Sequence, residues 1–222
     1  MRKGGFRTDL RKKIIDEALI LFEKYGFHGV TVNQIVDETG TSKGGFYHHF
    51  TSKDELLFVI HDEFITYVLE KATIATETFS DPTEKLQAII KDFVKTFGLY
   101  KPHISVFYQE NIYLKPEYEN RIKKKRDQFK HILLNALREG KAAGEFREDL
   151  PVEITAMAIL GMVNWTYKWY KYSGVKTIDE IGSIYVDLIL RAVLKTDSFS
   201  GSSYQNLLIN SVKEDLQRFF YG

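Results

Sequence analysis

The segment 43–49 reads Lys-Gly-Gly-Phe-Tyr-His-His and brings a lysine, a tyrosine and two histidines together within two helical turns. Ammonium and imidazole groups suit phosphate oxygens, and a phenol can contact a phosphate or the methyl group of thymine. The two glycines cost a helix roughly 1 kcal/mol each, and a close approach of the backbone to another molecule is one reason for them. The chemistry of this segment is therefore that of contact with a nucleic-acid duplex.

Four helices must position this segment, and caps, glycines and apolar residues at helical spacing delimit them. They are predicted over residues 8–25, 31–40, 42–50 and 52–78. Thr31 with Gln34, and Ser52 with Glu55, have the spacing of a capping box. A helix of about two turns is not stable alone, so the third helix must be held by its neighbours.

The third helix has an expected core face and an expected contact face. Phe46 and Phe50 are predicted to pack on Ile35 and on the first helix. Tyr47 is predicted on the contact face, with a half-buried core position as the alternative. For the histidines at 48 and 49 the alternative is simple exposure to water.

The spacing of these residues resembles the DNA-binding domain of TetR-type transcriptional regulators. The resemblance covers about residues 10–57 and rests on the following positions: Thr31-x-x-x-Ile35, Gly40, Ser42-Lys43-Gly44, Phe46-Tyr47-His48-His49-Phe50 and Lys53-Asp54-Glu55-Leu56. It implies a homodimeric, ligand-responsive regulator of double-stranded operator DNA, usually a repressor. The candidate DNA-binding residues are Thr31, Asn33, Thr41, Ser42, Lys43, Gly44, Gly45, Tyr47, His48, His49 and Lys53. The family usually carries a side chain at the position of Gly45, so only a backbone contact is expected there.

The N-terminus is locally basic, although the whole chain carries a formal net charge of only +1. The basic residues before Ile14 stand against a single acid, Asp9, and they are Arg2, Lys3, Arg7, Arg11, Lys12 and Lys13. Such a surplus can lie along a phosphate backbone, and a solvated tail is the alternative.

The rest of the chain also reads as helical, and strand alternation is nearly absent. Further helices are predicted over 82–99, 102–113, 116–143, 151–172, 177–194 and 204–220. The predicted fold class is all-α, with a three-helix helix-turn-helix domain over 1–52 and a larger ligand-binding and dimerisation domain over 53–195. Residues 196–222 are predicted to be a linker followed by an extra helix, which packs on the body or across the dimer.

The most apolar pair of predicted helices covers 151–172 and 178–194. Ala156, Ala158 and Gly161 on the first would allow another helix to approach closely, and Ile181, Ile184, Tyr185, Leu188 and Ile189 line the second. The family resemblance implies that these two helices form a four-helix bundle between two copies of the chain. An ordinary protein core is the alternative.

The larger domain is rich in aromatic residues, which line either a core or a pocket for a small-molecule effector. The candidate ligand-binding residues are Phe93, Phe97, Phe107, Asn111, Trp165 and Trp169. The basic run 121–126 is read as a solvated face or as a site for a polyanion such as the phosphates of coenzyme A. Residues 161–170, followed by Ser173-Gly174, resemble the subgroup that responds to acyl-coenzyme A thioesters, so an acyl-CoA is one candidate effector.

Other classes of function are disfavoured by what the sequence lacks. There is no cysteine, the six histidines show no zinc-binding spacing, and no nucleophile-elbow or phosphate-loop motif occurs. We therefore expect no metal, no cofactor and no enzymatic activity. No run is apolar enough to span a membrane, and a cytoplasmic location is expected. A helical ligand-binding or interaction protein without DNA binding remains the alternative function.

Overall fold

The computed structural model describes residues 5–195, with side chains from residue 10 onward. This part of the chain forms nine α-helices and one 3₁₀ turn, and no strand occurs within it. The helices are α1 (Gly5–Gly29), α2 (Val32–Thr39), α3 (Lys43–His49), α4 (Lys53–Thr78), α5 (Pro82–Leu99), α6 (Lys101–Gln109), α7 (Pro116–Ala142), α8 (Val152–Trp169) and α9 (Ile178–Val193). The predicted all-α class is confirmed. The predicted linker and helix at 196–222, residues Arg2 and Lys3, and the side chain of Arg7 lie outside the described residues.

Local signals end the first helices where the sequence predicts. α1 is interrupted at Gly26, whose φ of 71° lies in the left-handed region that favours glycine. The capping box at α2 is confirmed, because Thr31 and Gln34 each accept the main-chain N–H of the other. Gly40 ends α2 with a φ of 63°, and the hydroxyl of Ser42 caps α3.

The second predicted capping box forms only in part. The hydroxyl of Ser52 accepts the N–H of Glu55 at 3.1 Å, as expected. The carboxylate of Glu55 turns instead to Thr51, whose N–H and hydroxyl both donate to it at 2.6 Å. These hydrogen bonds lower the pKa of Glu55. α4 therefore begins at Lys53, directly after the predicted cap Ser52, and only the partner of the Glu55 carboxylate differs from the prediction.

The helix predicted over 102–113 is shorter in the structure. α6 ends at Gln109, and the chain leaves helical geometry at Glu110, with φ −107° and ψ 4°. A 3₁₀ turn, Asn111–Tyr113, follows at once, and its tighter hydrogen bonds join residues three apart. The sequence does not show this break, because no glycine or proline marks it.

The chain divides into two compact units. The first contains Met1–Tyr67 and Tyr100–Lys125, and the second contains Val68–Leu99 and Arg126–Gly222. In the first unit α2 packs on α1 and α3, and α6 packs on α1. In the second unit α5 packs on α9 and on α8. The predicted functional domains, with boundaries at 52 and 195, stay predictions.

Helix α8 has two apolar faces, only one of which is covered within the described chain. Its buried side chains are Val152, Ala156, Ile159, Val163 and Thr166. Ile154, Met157 and Trp165 lie on the opposite face and are exposed. Ala158 and Gly161 are exposed on that face, whereas Ala156 is buried in the core of the second unit.

Helix α9 is buried to a greater extent than α8. Ile181 and Ile189, two residues predicted to line an apolar face, belong to the core of the second unit. Ile184 and Tyr185 are partly exposed, and Leu188 is exposed. The pair of helices therefore provides both core and an uncovered apolar surface.

Candidate nucleic-acid interface

Helix α3 is held in place by aromatic side chains on its inner face. Phe46 and Phe50 are almost completely buried, as is Ile35 on α2, and this predicted core is confirmed. The Phe46 and Phe50 rings lie 5.8 Å apart, and the guanidinium of Arg11 lies 5.6 Å from the Phe50 ring. The fixed inner face determines which side chains of α3 point outward.

The outward face of α3 carries the polar groups that the sequence singles out. Lys43 and His48 are exposed, and His49 is partly exposed. Tyr47 rests edge-on against the Phe46 ring at 5.3 Å, but 52% of the residue is exposed, which excludes the alternative of a core position. An ammonium, a phenol and two imidazoles are thus available to another molecule.

The two glycines of α3 have different surroundings. Gly44 is exposed, and a Cβ added there would have Ser42 Oγ at 3.7 Å as its nearest neighbour. A Cβ added at Gly45 would come within 2.4 Å of Thr41 Oγ1. The hydroxyl of Thr41 therefore occupies the space that a side chain at position 45 would need.

The start of α2 offers polar groups close to the caps. Thr31 and Asn33 are exposed. The hydroxyl of Thr31 accepts the N–H of Gln34 at 3.2 Å, and that of Ser42 accepts the N–H of Gly45 at 3.1 Å. Both hydroxyls therefore fix helix ends in the described protomer, and each keeps the second lone pair of a hydroxyl oxygen.

The ammonium of Lys53, which the sequence assigns to a phosphate contact, is hydrogen-bonded within the protein. Its ammonium donates to the carbonyl oxygens of Phe27 at 2.6 Å and Val30 at 2.5 Å, and it lies 4.2 Å from the centre of the Phe27 ring. Burial is the main cause that lowers the pKa of Lys53. Two of the three ammonium donors are thus used inside the protein, so a phosphate contact would depend on the third.

The six candidate ligand-binding residues do not form one cluster within either unit. Phe93 and Phe97 are buried in the second unit, where Phe93 packs edge-on against Phe129 at 4.8 Å. Trp165 and Trp169 belong to the same unit but are exposed. Phe107 and Asn111 belong to the first unit, and Phe107 packs against His61 and Phe64. The ligand site stays a prediction.

A small groove in the second unit lies apart from these residues. Its volume is about 190 Å³, and it is lined by Lys91, Lys95, Ile178, Asp179, Gly182 and Ser183. Ligand sites usually occupy roughly 300–1,000 Å³, so this groove is small for an effector. It also contains the ion pair of Lys95 with Asp179, at 3.7 Å.

Part of the basic run 121–126 already has partners. The guanidinium of Arg121 lies 4.4 Å from the centre of the Phe58 ring, and Lys125 donates to Asp62 and Thr66 at 2.6 Å each. Lys123 and Lys124 are exposed.

Among the described residues no group of three or more histidine, aspartate or glutamate side chains could hold a metal ion. Within the same residues no helix has the length and apolar character needed to cross a membrane.

Glu110 was not among the residues that the sequence singled out. It is only 7% exposed, and its carboxylate accepts the main-chain N–H of Phe27 at 3.2 Å. A glutamate near a helix end is common, so the sequence gives no signal that it would be buried against a segment 83 residues away.

Comparison with known proteins finds similarity over most of the chain. Residues 14–60 match the family model described as "Bacterial regulatory proteins, tetR family", and residues 80–193 match the model described as "Tetracyclin repressor-like, C-terminal domain". The HTH-type transcriptional repressor KstR2 of Mycobacterium tuberculosis is 25% identical over 199 residues, which cover 87% of this chain and 98% of KstR2.

Solved structures show the same fold. The TetR family regulator PfmR from Thermus thermophilus is 31% identical, with a TM-score of 0.76 over 80% of this chain and 97% of PfmR. AibR, solved in complex with isovaleryl coenzyme A and operator DNA, is 24% identical, with a TM-score of 0.72 over 81% of this chain and 97% of AibR. The two family models together span both the helix-turn-helix segment and the helices that follow it, and the chain belongs to the TetR family of bacterial transcriptional regulators.

Proposed function

We propose that this protein is a homodimeric transcriptional repressor that binds double-stranded operator DNA and releases it when a small molecule binds. The observation that carries this proposal is the outward face of α3. Lys43, Tyr47 and His48 are exposed there, while Phe46 and Phe50 fix the helix from the inside. KstR2 and PfmR are named as transcriptional regulators, and we propose no catalytic activity.

The side chains of this face suit two kinds of DNA contact. Lys43, at the start of α3, can reach a guanine edge or a phosphate, and the histidines suit phosphate oxygens. Gly44 leaves the backbone open on the exposed side, so that main-chain N–H groups can approach a phosphate closely. Thr31 and Asn33 lie where the first helix of such a motif crosses the DNA backbone. Bacterial operator DNA lies in the cytoplasm, and we place the protein there.

The apolar stripe of α8 supports the homodimer. Ile154, Met157 and Trp165 are 69%, 56% and 61% exposed, and they follow one another along a single face of the helix. Leu188 adds an exposed leucine from α9. A second copy of the same stripe would cover these side chains in a two-fold symmetric contact. Trp165, which the sequence assigns to the ligand site, is better placed for this contact.

Dimerisation couples ligand binding to DNA binding through the distance between the two helix-turn-helix units. Two helix-turn-helix units must lie about 34 Å apart to enter successive major grooves on one side of the duplex. A ligand that binds better to a dimer with another spacing lowers DNA affinity by linkage. AibR was solved with isovaleryl coenzyme A and operator DNA, which supports an acyl-CoA as the class of effector.

Fluorescence anisotropy with DNA from upstream of the protein's own gene tests the proposed function. Wild-type protein is expected to bind one fragment tightly, with an affinity that falls steeply as salt is raised. If Lys43 of each protomer contacts a phosphate, Lys43→Ala should weaken binding about tenfold and reduce the salt slope of the dimer by about two. The matched control is Lys124→Ala, which removes an exposed lysine from α7 and should change neither quantity. Failure of the wild type to prefer any fragment would favour a helical ligand-binding protein without DNA binding.

Native mass spectrometry of the purified dimer tests the effector class. A co-purified adduct with the mass of a coenzyme A thioester would support the acyl-CoA proposal. Displacement of the DNA fragment by added isovaleryl coenzyme A, but not by free coenzyme A, would support it further. Adducts of small apolar compounds alone would contradict it.

A further inference from the structure

Residues 26–30, which run from the break in α1 to the loop before α2 and are called the α1–α2 turn below, are held from two sides within the first compact unit. Gly26 leaves helical geometry, so the N–H of the next residue needs an acceptor from elsewhere. The carboxylate of Glu110 supplies it at 3.2 Å, in a buried hydrogen bond to Phe27. On the carbonyl side of the same turn, the ammonium of Lys53 binds the oxygens of Phe27 and Val30.

The residues after Glu110 add a second contact to the same turn. Tyr113, in the 3₁₀ turn, stacks on the Phe27 ring with centroids 6.0 Å apart and an angle of 20° between the ring planes. Its ring also meets His28 edge-on at 4.3 Å. Glu110 and Tyr113 therefore bind the main chain and the side chain of one segment.

The burial of Glu110 is unusual for a carboxylate and calls for a reason. A buried carboxylate is costly unless hydrogen bonds compensate for its lost hydration. A Cβ added at Gly26 would lie 3.7 Å from Glu110 Oε1, so the carboxylate is seated directly over the break in α1. An apolar side chain would fill the same space at a lower cost, but it would not accept a hydrogen bond from the amide of Phe27.

We propose that Glu110 is a positioning residue for DNA binding. Its carboxylate fixes the α1–α2 turn, and through this turn it sets the orientation in which α2 and α3 meet the duplex. Because Glu110 is the C-cap of α6, its hydrogen bond links the end of α6 to the segment that leads into α2. This inference rests on the proposed function, since it assigns Glu110 to the DNA-binding step.

Hydrogen exchange of the full-length protein without DNA tests the contact itself. In Glu110→Ala, a peptide that contains Phe27 should exchange at least about tenfold faster than in the wild type, because the amide has lost its acceptor. Glu110→Gln should keep most of the protection, since its amide oxygen can still accept. Glu119→Ala, which removes an exposed glutamate from α7, is the matched control and should change nothing. Equal exchange in Glu110→Ala and wild type would overturn the inference.

If Glu110→Ala does not fold, Tyr113→Ala keeps the inference testable. Tyr113 is exposed, so its truncation disturbs the core less. It should speed exchange of the same peptide and weaken DNA binding in the same direction. Unchanged exchange and unchanged DNA binding in Tyr113→Ala would overturn the inference.

DNA binding separates a positioning role from a merely structural one. On the fragment that the wild type prefers, Glu110→Ala should bind about tenfold more weakly, because the competent orientation of the helix-turn-helix is less populated. The salt slope should not change, since the bound form makes the same phosphate contacts. Glu110→Gln should restore the affinity to within about twofold.

The two possible failures are distinguishable. Faster exchange in Glu110→Ala with unchanged DNA affinity would overturn the positioning role and leave the proposed function intact. A wild-type protein that binds no fragment would overturn the proposed function, and the assignment of Glu110 to DNA binding with it.

Discussion

Helices α3 and α8 both present a surface to a partner, but the two surfaces have opposite chemistry. α3 buries its aromatic side chains within its own unit and exposes Lys43, Tyr47 and His48. α8 buries one apolar face and exposes a second, which includes Met157 and Trp165. The difference indicates that the apolar side chains of α3 are fully packed within one protomer, so its outward face suits a polar partner. The apolar side chains of α8 are only partly covered within one protomer, so its exposed face suits an apolar partner.

The largest expected effect comes from breaking the inner face of α3. Phe46→Ala should lower the free energy of unfolding by about 3–5 kcal/mol, because Phe46 is fully buried and its removal leaves a cavity. Urea denaturation measures this change. Tyr47→Ala, one residue further on the outer face, should change stability by less than about 0.5 kcal/mol. Similar losses in both variants would mean that α3 has no distinct inner and outer face.

The next effect concerns the exposed face of α8. Met157→Glu should raise the dimer dissociation constant at least about a hundredfold, because a charge would be buried in an apolar contact. Analytical ultracentrifugation measures the change in mass. Ile20→Glu places the same charge on another exposed apolar residue, on α1, and should leave the dimer intact. A Met157→Glu protein that remains dimeric at low concentration would contradict the assignment of this face.

Gly44 allows stability and DNA binding to be separated on α3. Gly44→Ala should raise the free energy of unfolding by roughly 0.5–1 kcal/mol, because alanine favours the helix and the added methyl group meets no clash. The same methyl group should weaken DNA binding about tenfold if the backbone approaches a phosphate there. Thermal unfolding and anisotropy on one preparation measure both changes. A more stable variant with unchanged affinity would exclude a close backbone contact at Gly44.

The difference between α3 and α8 also explains what the sequence could and could not predict. The break in α1 at Gly26 and the ends of α2 and α3 depend on residues within four positions of each other, such as Thr31 with Gln34, and these features were predicted. The start of α1 was not, since the helix begins at Gly5 and the sequence predicts residue 8. The sequence did not predict why residue 45 is a glycine. The space that a side chain there would need is occupied by Thr41, only four residues away. A glycine pair indicates close contact, but it does not show which of the two glycines is open.

Contacts between segments far apart in the chain cannot be predicted from local sequence patterns. The carboxylate of Glu110 meets Phe27 across 83 residues, and the ammonium of Lys53 meets it across 26. The sequence assigns Lys53 to a phosphate, because a lysine at a helix start suits both roles. Aromatic residues pose the same difficulty in the second unit, where the pattern that predicts a pocket also fits the packed core of Phe93 and Phe97.

The smallest expected effect is a pH dependence in the first unit. His103 on α6 faces Asp16 and Lys12 of α1 and Glu63 of α4, and it lies next to the ring of Tyr100. Burial lowers the pKa of His103 below its ordinary value of 6.5, and the two carboxylates only partly oppose this shift. Below about pH 6.5 the unfolded chain therefore takes up a proton that the folded chain binds less readily.

The sign of this dependence follows from the lowered pKa. The contribution of His103 to stability is complete above about pH 6.5 and is lost as the pH falls from there toward the pKa of the folded state, with a slope of at most about 1.4 kcal/mol per pH unit. His103→Gln should reduce the loss in the free energy of unfolding that urea denaturation measures between pH 7.5 and 5.5. His131→Gln, which replaces an exposed histidine on α7, should leave it unchanged. An identical loss in wild type and His103→Gln would show that groups other than His103 carry the acid sensitivity.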